Sequence, residues 1–225
     1  MTFHKNLSLG LLLVIAVCDL VFIEINIPII RVVSRPLVDL VLVYFYGSRV
    51  SKFKPLILLA LLLSSYGVLT QFEAYNNVFF YLGILIPSLS FFVYTYLIFK
   101  KIKTHLLPSY FLGFILFGSY CFVIFQDIYS LLVFEVFIEI IHAIVILFFC
   151  TISFVFFINY PKKDRLPIFL GAICFLLSNL FSAYKYFYFD DSFYNLESEI
   201  LYILGDVMVI YFFSKSNEQP TPVEV

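Results

Sequence analysis

Ionisable side chains set inside apolar stretches carry the chemistry of this sequence. Arg31, Arg35 and Asp39 follow one another at steps of four, so a helix stacks them on one stripe. Two uses fit that stripe. One is a neutralising ion pair that lets a short helix enter an apolar medium. The other is a basic clamp for a lipid phosphate, because a guanidinium grips such oxyanions through paired hydrogen bonds. Glu135, Glu139 and His142 also share a helical face, at steps of four and three. Two carboxylates one turn apart repel, so one tends to keep its proton, and a retained proton is what a general acid needs. The same spacing suits the carboxylate-and-His metal sites of helix bundles, but one helix supplies too few ligands and no second Glu-x-x-His follows. A lumen-facing polar stripe would use the same residues without chemistry. Glu199, Tyr202 and Asp206 repeat the pattern at steps of three and four, with Asp206 deep in its apolar run. An isolated carboxylate there must protonate or find a cation. Asn179 lies mid-run beside Ser178, Ser182 and Lys185, where small hydroxylated residues also knit membrane helices together. Asp19 and Asn26, seven apart, share a face, while Glu24 points elsewhere and is placed to reach headgroups.

The elements that hold these groups follow from composition. Of 225 residues, 63% are hydrophobic and 13% charged, and mean hydropathy is +1.03. That excludes a soluble enzyme, a nucleic-acid binder and a disordered chain. Fourteen Lys and Arg nearly balance fifteen Asp and Glu, so no broad basic surface exists for nucleic acid. A membrane helix needs about 20 mainly apolar residues. Eight runs are candidates: 7–30, 32–47, 55–71, 78–99, 106–125, 128–158, 167–189 and 199–214, with 32–47 among the shortest. The block 106–158 is too long for one crossing and breaks at Gln126-Asp127. Helices are required, because lipid offers no partner to an open backbone. The expectation is an all-α integral membrane protein, a single domain over 1–225. It is a bundle of eight transmembrane helices, or seven if the short run 32–47 with Arg35 and Asp39 does not cross. The tail, 215–225, is expected to fray.

Basic residues orient the spans. With eight spans, eleven of the fourteen Lys and Arg fall on one side, in the N-terminus, three connections and the C-terminus. Both termini are then cytoplasmic, in a multi-pass protein of the cell membrane. Met1 to Cys18 carries Lys5 and an apolar run, as a signal peptide would. Val17 before the Cys and the lack of a small-x-small site read instead as a first span that stays attached. Cys18, Cys121, Cys150 and Cys174 are scattered in apolar runs, so neither a metal nor another cofactor is expected. Phe and Tyr total 47. Tyr44, Tyr46, Tyr94, Tyr96, Tyr184 and Tyr186 near span ends fit an interfacial belt. Without an extramembrane domain, any activity belongs inside the bundle or at its rim.

The order of short motifs resembles the lysoplasmalogenase (YhhN-like) family of eight-span membrane proteins. Ser34-Arg35-Pro36-Leu37 looks like its Lys-Pro-Leu entry to the second span. Ala60-Leu61-Leu62-Leu63-Ser64 through Gly67 looks like its Ala-Leu-x-Phe-Ser…Gly-Asp stretch, and Gly83 through Tyr94 like its Gly-…-His-x-x-Tyr span. Gly171-Ala172-Ile173-Cys174-Phe175-Leu176-Leu177-Ser178-Asn179 is similar to Gly-Ala-x-x-Phe-x-x-Ser-Asp/Asn. Tyr202 to Asp206 looks like the final Tyr-…-Gln/His stretch. Three positions depart: the family's Asp after Gly67 is Val68, its His falls at Phe91, and its final Gln or His is Asp206.

The resemblance implies hydrolysis of the vinyl ether of a lysoplasmalogen or related lysolipid, drawn from the membrane. Protonation of an alkene carbon would give an oxocarbenium ion that water captures. The acid is then Asp206, Glu135 or Glu139, with another carboxylate or Asp39 facing the cation. Asn179 would orient water, and Arg35 and Tyr202 would bind substrate. Glycoside hydrolysis follows the same two-carboxylate logic. The alternative, favoured by Val68 and Phe91, is a non-catalytic lipid-binding or transporting protein of the same fold. An assembly partner in the membrane is a third reading. The sequence leaves the oligomeric state open.

Overall fold

A computed structural model describes residues 2–25, 28–72, 77–103, 106–128, 135–160, 163–187 and 192–216. The side chains of Glu24, Arg31, Val68, Glu135 and Lys185 lie outside the description, as do Asn26 and the tail from 217 onward. The chain folds into α1 (Thr2–Glu24), α2 (Pro28–Gly47), α3 (Pro55–Ser64), α4 (Asn77–Phe99), α5 (Leu107–Ile128), α6 (Glu135–Asn159), α7 (Leu166–Phe187) and α8 (Ser192–Ser216). Two 3₁₀ segments, Ser65–Phe72 after α3 and Lys163–Arg165 before α7, complete the described elements, and no strand occurs among them.

Proline sets several helix starts. Pro28 opens α2 and Pro55 opens α3, while Pro108 and Pro167 sit second in α5 and α7. A first-turn proline loses nothing, because its missing N–H has no intrahelical acceptor there. Pro28 also explains where the expected run 7–30 divides. Helix α1 stops at Glu24, Ile25 closes a last turn onto the Val21 carbonyl at 3.1 Å, and α2 begins three residues later. The second helix thereby gains four residues over the expected 32–47. Its 20 residues reach about 30 Å, the depth of a bilayer core. The third run, expected as one stretch, instead tightens into 3₁₀ turns after Ser64.

Three helical segments are long and apolar enough to cross a membrane: Tyr81–Phe99, Phe137–Asn159 and Leu166–Tyr184. Shorter apolar helical stretches cover Leu7–Phe22, Pro55–Gly67 and Leu107–Val123. The outer surface agrees with this. On α5, Leu107, Phe111 and Phe122 are 79%, 69% and 67% exposed, and contiguous apolar exposure of this kind seeks lipid or a partner.

Contacts give the direction of each helix. Asp19 meets Ser34 and Ser8 meets Arg49, so α1 and α2 are antiparallel. Pairs between α5 and α6 (Ser109 with Asn159, Phe114 with Phe148) and between α6 and α7 (His142 with Asn179, Cys150 with Ala172) are antiparallel too. Helices α7 and α8 run antiparallel in close contact. A Cβ on Gly171 would meet Val209 at 2.9 Å and the Gly205 carbonyl at 3.1 Å, and one on Gly205 would meet the Phe175 ring at 3.0 Å. Helices α4 and α6 are parallel (Ser88 with His142, Tyr94 with Phe149). One end of the bundle therefore collects residues 48–54, 100–103 and 163–165 with the C-terminus of α8. This basic end carries Arg49, Lys52, Lys54, Lys100, Lys101, Lys103, Arg165 and Lys215. Between the helices, the rings of Phe91, Tyr94, Phe149, Phe175 and Phe213 pack into one aromatic core.

Candidate functional site

Arg35 and Asp39 on α2 point inward. Arg35 is 3% exposed, and its guanidinium gathers carboxylates from its own helix and from α8. Nη2 donates to Asp206 Oδ2 at 3.0 Å and lies 3.9 Å from Asp39 Oδ1. Nη1 pairs with Glu199 Oε1 at 3.0 Å, outside the direction of a hydrogen bond. The guanidinium carbon stands 4.9 Å from the centre of the Tyr202 ring. From α3, the Ser64 hydroxyl donates to Asp206 Oδ2 at 3.4 Å. Next to Arg35 along α2, the Ser34 hydroxyl donates to Asp19 of α1, and Asp19 is fully buried.

Two features set the chemistry of this cluster. Three carboxylates on one guanidinium leave it formally two charges negative, and buried charge of that size demands protons or cations to balance it. Several polar atoms there also lack a hydrogen-bond partner: both oxygens of Asp39, Oδ1 of Asp206, and the hydroxyls of Tyr94 and Tyr202. Such atoms are rare in protein interiors and mark places where a polar group can be received. Arg35 itself is engaged by carboxylates, so it serves as their counter-ion.

A second polar constellation joins α4, α6 and α7. Ser88 Oγ lies 2.7 Å from His142 Nδ1, and His142 Nε2 lies 2.6 Å from Asn179 Oδ1. The Asn179 amide nitrogen is committed to the Phe175 carbonyl at 2.7 Å. Its oxygen must then accept, so Nε2 carries the ring hydrogen. In the neutral imidazole, Nδ1 is left bare, 2.7 Å from Ser88 Oγ, while the Ser88 hydroxyl donates its hydrogen to the Ile84 carbonyl at 2.7 Å. Beside it, α7 and α8 are knitted by serines: Ser178 Oγ donates to the Ser198 carbonyl at 2.7 Å, and Ser182 Oγ lies 2.6 Å from Ser198 Oγ.

The residues singled out in the sequence thus fall into two groups. Arg35, Asp39, Tyr202 and Asp206 come together. Asn179 joins His142 instead, and Glu139 sits half-buried three residues before that histidine. Glu135 begins α6, but its side chain lies outside the described residues. The groups are separated by rings: Tyr202 on Phe175 at 5.0 Å, Phe175 on Phe91 at 4.9 Å, and Phe91 on His142 at 6.0 Å between centroids. Phe91, where the resemblance expects a histidine, is fully buried and packs against one from the neighbouring helix.

Sequence reasoning assigns no role of their own to Glu199, His142, Ser64 or Ser88. Glu199 and His142 had a signal, being on the same stripes as Asp206 and Glu139. Ser64 and Ser88 had none, since a lone serine in an apolar helix reads as packing. Comparison of the chain with protein-family models, with curated proteins and with solved structures gives no match.

The two groups lie in one half of the bundle and at its middle. Asp19 lies near the end of α1, Arg35 in the first half of α2 with Asp39 just past its midpoint, Ser64 at the end of α3 and His142 early in α6. Asn179 lies late in α7 and Glu199 early in α8, while Ser88 and Asp206 reach mid-depth. Among the described residues, Asp39 and Asp206, each just past the midpoint of its helix, are the buried carboxylates nearest the basic end.

Proposed function

We propose that this chain is a membrane-embedded hydrolase that cleaves the vinyl ether of a lysoplasmalogen or a related lysolipid at the carboxylates gathered on Arg35. The observation that carries this reading is the buried meeting of Arg35, Asp39, Glu199 and Asp206 from two helices. The order of motifs that resembles the lysoplasmalogenase family supports it. All eight helices cross the membrane in this reading, with the basic end and both termini cytoplasmic. The polar half then faces the opposite leaflet of the cell membrane.

Asp206 in its protonated form delivers a proton to the alkene carbon. Asp39 faces the oxocarbenium ion so formed, as the second carboxylate does in glycoside hydrolysis. Water adds to the cation and gives its proton to the carboxylate. The hemiacetal then collapses to a fatty aldehyde and the glycerophospho alcohol, with one water consumed and the acid restored. Glu199 has 20% of its side chain exposed and exchanges with the incoming phosphate for Arg35 Nη1. Tyr202 stacks beneath the guanidinium and holds it in place.

The test is aldehyde release by protein purified in detergent. Asp206→Asn is expected to lower the rate about a hundredfold or more, the usual contribution of a general acid, and Arg35→Ala to lower it as well. No aldehyde from wild type, while a confirmed lysoplasmalogenase turns over alongside, would end the enzyme reading. A lysolipid-binding bundle is the second reading, favoured by Phe91, whose ring is built into the aromatic core. Lysolipid that raises the melting temperature without being consumed would establish it. Transport is disfavoured, because the buried ionisable groups stop at mid-depth.

A further inference from the structure

We propose that Ser88, His142 and Asn179 form a second, nucleophilic site that takes carboxylic esters of membrane lipids, independent of the carboxylate cluster. Three neighbouring helices supply a hydroxyl, an imidazole and an amide in the order that activates a nucleophile: base next to hydroxyl, orienting group on the far side of the base. The bonds fix the roles. Asn179 is locked to the Phe175 carbonyl, so it accepts from His142 Nε2 and leaves Nδ1 as the base facing Ser88. A serine needing only a partner already has the Ile84 carbonyl at the same 2.7 Å. Turning that hydroxyl from the carbonyl to His142 Nδ1, also 2.7 Å from Oγ, gives its proton a basic nitrogen.

Ser88 and His142 are 3% and 7% exposed, and apolar surface lies next to them in sequence: Leu89 and Phe92 on α4 are 49% and 52% exposed, and Phe137 and Ile141 on α6 are 60% and 36% exposed. Pro87, immediately before Ser88, removes one backbone hydrogen bond from α4 and loosens the helix there. The rings of Phe91 and Phe175 separate this site from Asp206, so the two chemistries do not share a reacting atom.

The reaction balances without a further reagent. Ser88 Oγ bonds to the ester carbonyl carbon as its proton passes to His142 Nδ1. The carbon–alkoxide bond then breaks, and the departing alcohol takes that proton. Water repeats the sequence on the acyl-serine, giving its proton to Nδ1 and then to Oγ, and releases the fatty acid.

The experiment uses the full chain in detergent micelles with an alkyl fluorophosphonate, read by peptide mass spectrometry, and with p-nitrophenyl octanoate hydrolysis as a second readout. A covalent adduct on Ser88 is expected, absent in Ser88→Ala. Labelling and hydrolysis are expected to slow about a hundredfold or more in His142→Gln. Asn179→Asp, which still accepts from Nε2 but loses the bond to Phe175, should keep more of the rate than Asn179→Leu, a contrast that serves if the histidine variant fails to fold. Three results would each overturn the proposal: no adduct while a known serine esterase labels in the same micelles, an adduct that survives Ser88→Ala, or equal rates in Asn179→Asp and Asn179→Leu. None of these readouts involves a vinyl ether, so they stand or fall apart from the aldehyde assay.

Discussion

Removing Arg35 would leave Asp39, Glu199 and Asp206 facing one another in a buried space with their shared cation gone. Breaking a buried pair from one side commonly costs about 3–5 kcal/mol. Arg35→Met is therefore expected to lower the melting temperature in detergent sharply. Asp206→Asn should recover part of that loss in the double variant, because the two residues share one interaction. Additive effects would show that Arg35 and Asp206 are not coupled. Lys101 offers a pH test at the basic end. Burial, with Lys54 and Arg165 nearby, pushes its amine down to about 8 from 10.5. Between about pH 8 and 10.5 the unfolded chain then binds more protons than the folded one, so stability rises with pH across that window. Thermal melts of wild type should show the rise, and Lys101→Met should flatten it.

At the scale of elements, the contact between α7 and α8 places Asp206, Tyr202 and Ser198 against the site helices. Gly171 has no room for a methyl: its Cβ would fall 2.9 Å from the Val209 side chain and 3.1 Å from a backbone oxygen. Gly171→Ala is expected to push the helices apart at a cost of about 1–3 kcal/mol. Gly118, in α5, faces open space, with nothing within 4 Å of where a Cβ would sit. Gly118→Ala should therefore hold or raise stability through better helix propensity, and a paired melting measurement on the two variants separates close packing from propensity. If both behave alike, the tight α7–α8 approach is not what holds the pair together.

Across the whole molecule, polarity is divided by depth. Basic residues collect at one end, the buried carboxylates lie from mid-depth into the other half, and an aromatic core lies between the helices. In a cysteine-free background, a single cysteine in place of Lys52 is expected to react with an impermeant maleimide only after the cell membrane is opened. One in place of Val78, at the start of α4, should react in intact cells. The reverse pattern would place the polar half toward the cytoplasm and with it the leaflet that supplies the lipid.

Helical class and the approximate positions of the helices were legible in the sequence, because long apolar runs leave no other way to satisfy a backbone in lipid. The spacing of Arg35 with Asp39, and of Glu199, Tyr202 and Asp206, was legible too, since steps of three and four define a helix face whatever surrounds it. Periodicity speaks only within one helix. It cannot tell which stripe meets which across the bundle. Tertiary packing decided that Arg35 reaches α8, that Asn179 turns to His142 rather than to Asp206, and that Ser88, silent in the sequence, completes a relay. The physical reason is range: helix geometry is set by neighbours a turn away, whereas these partners are 37 to 171 residues apart and meet only when whole helices pack.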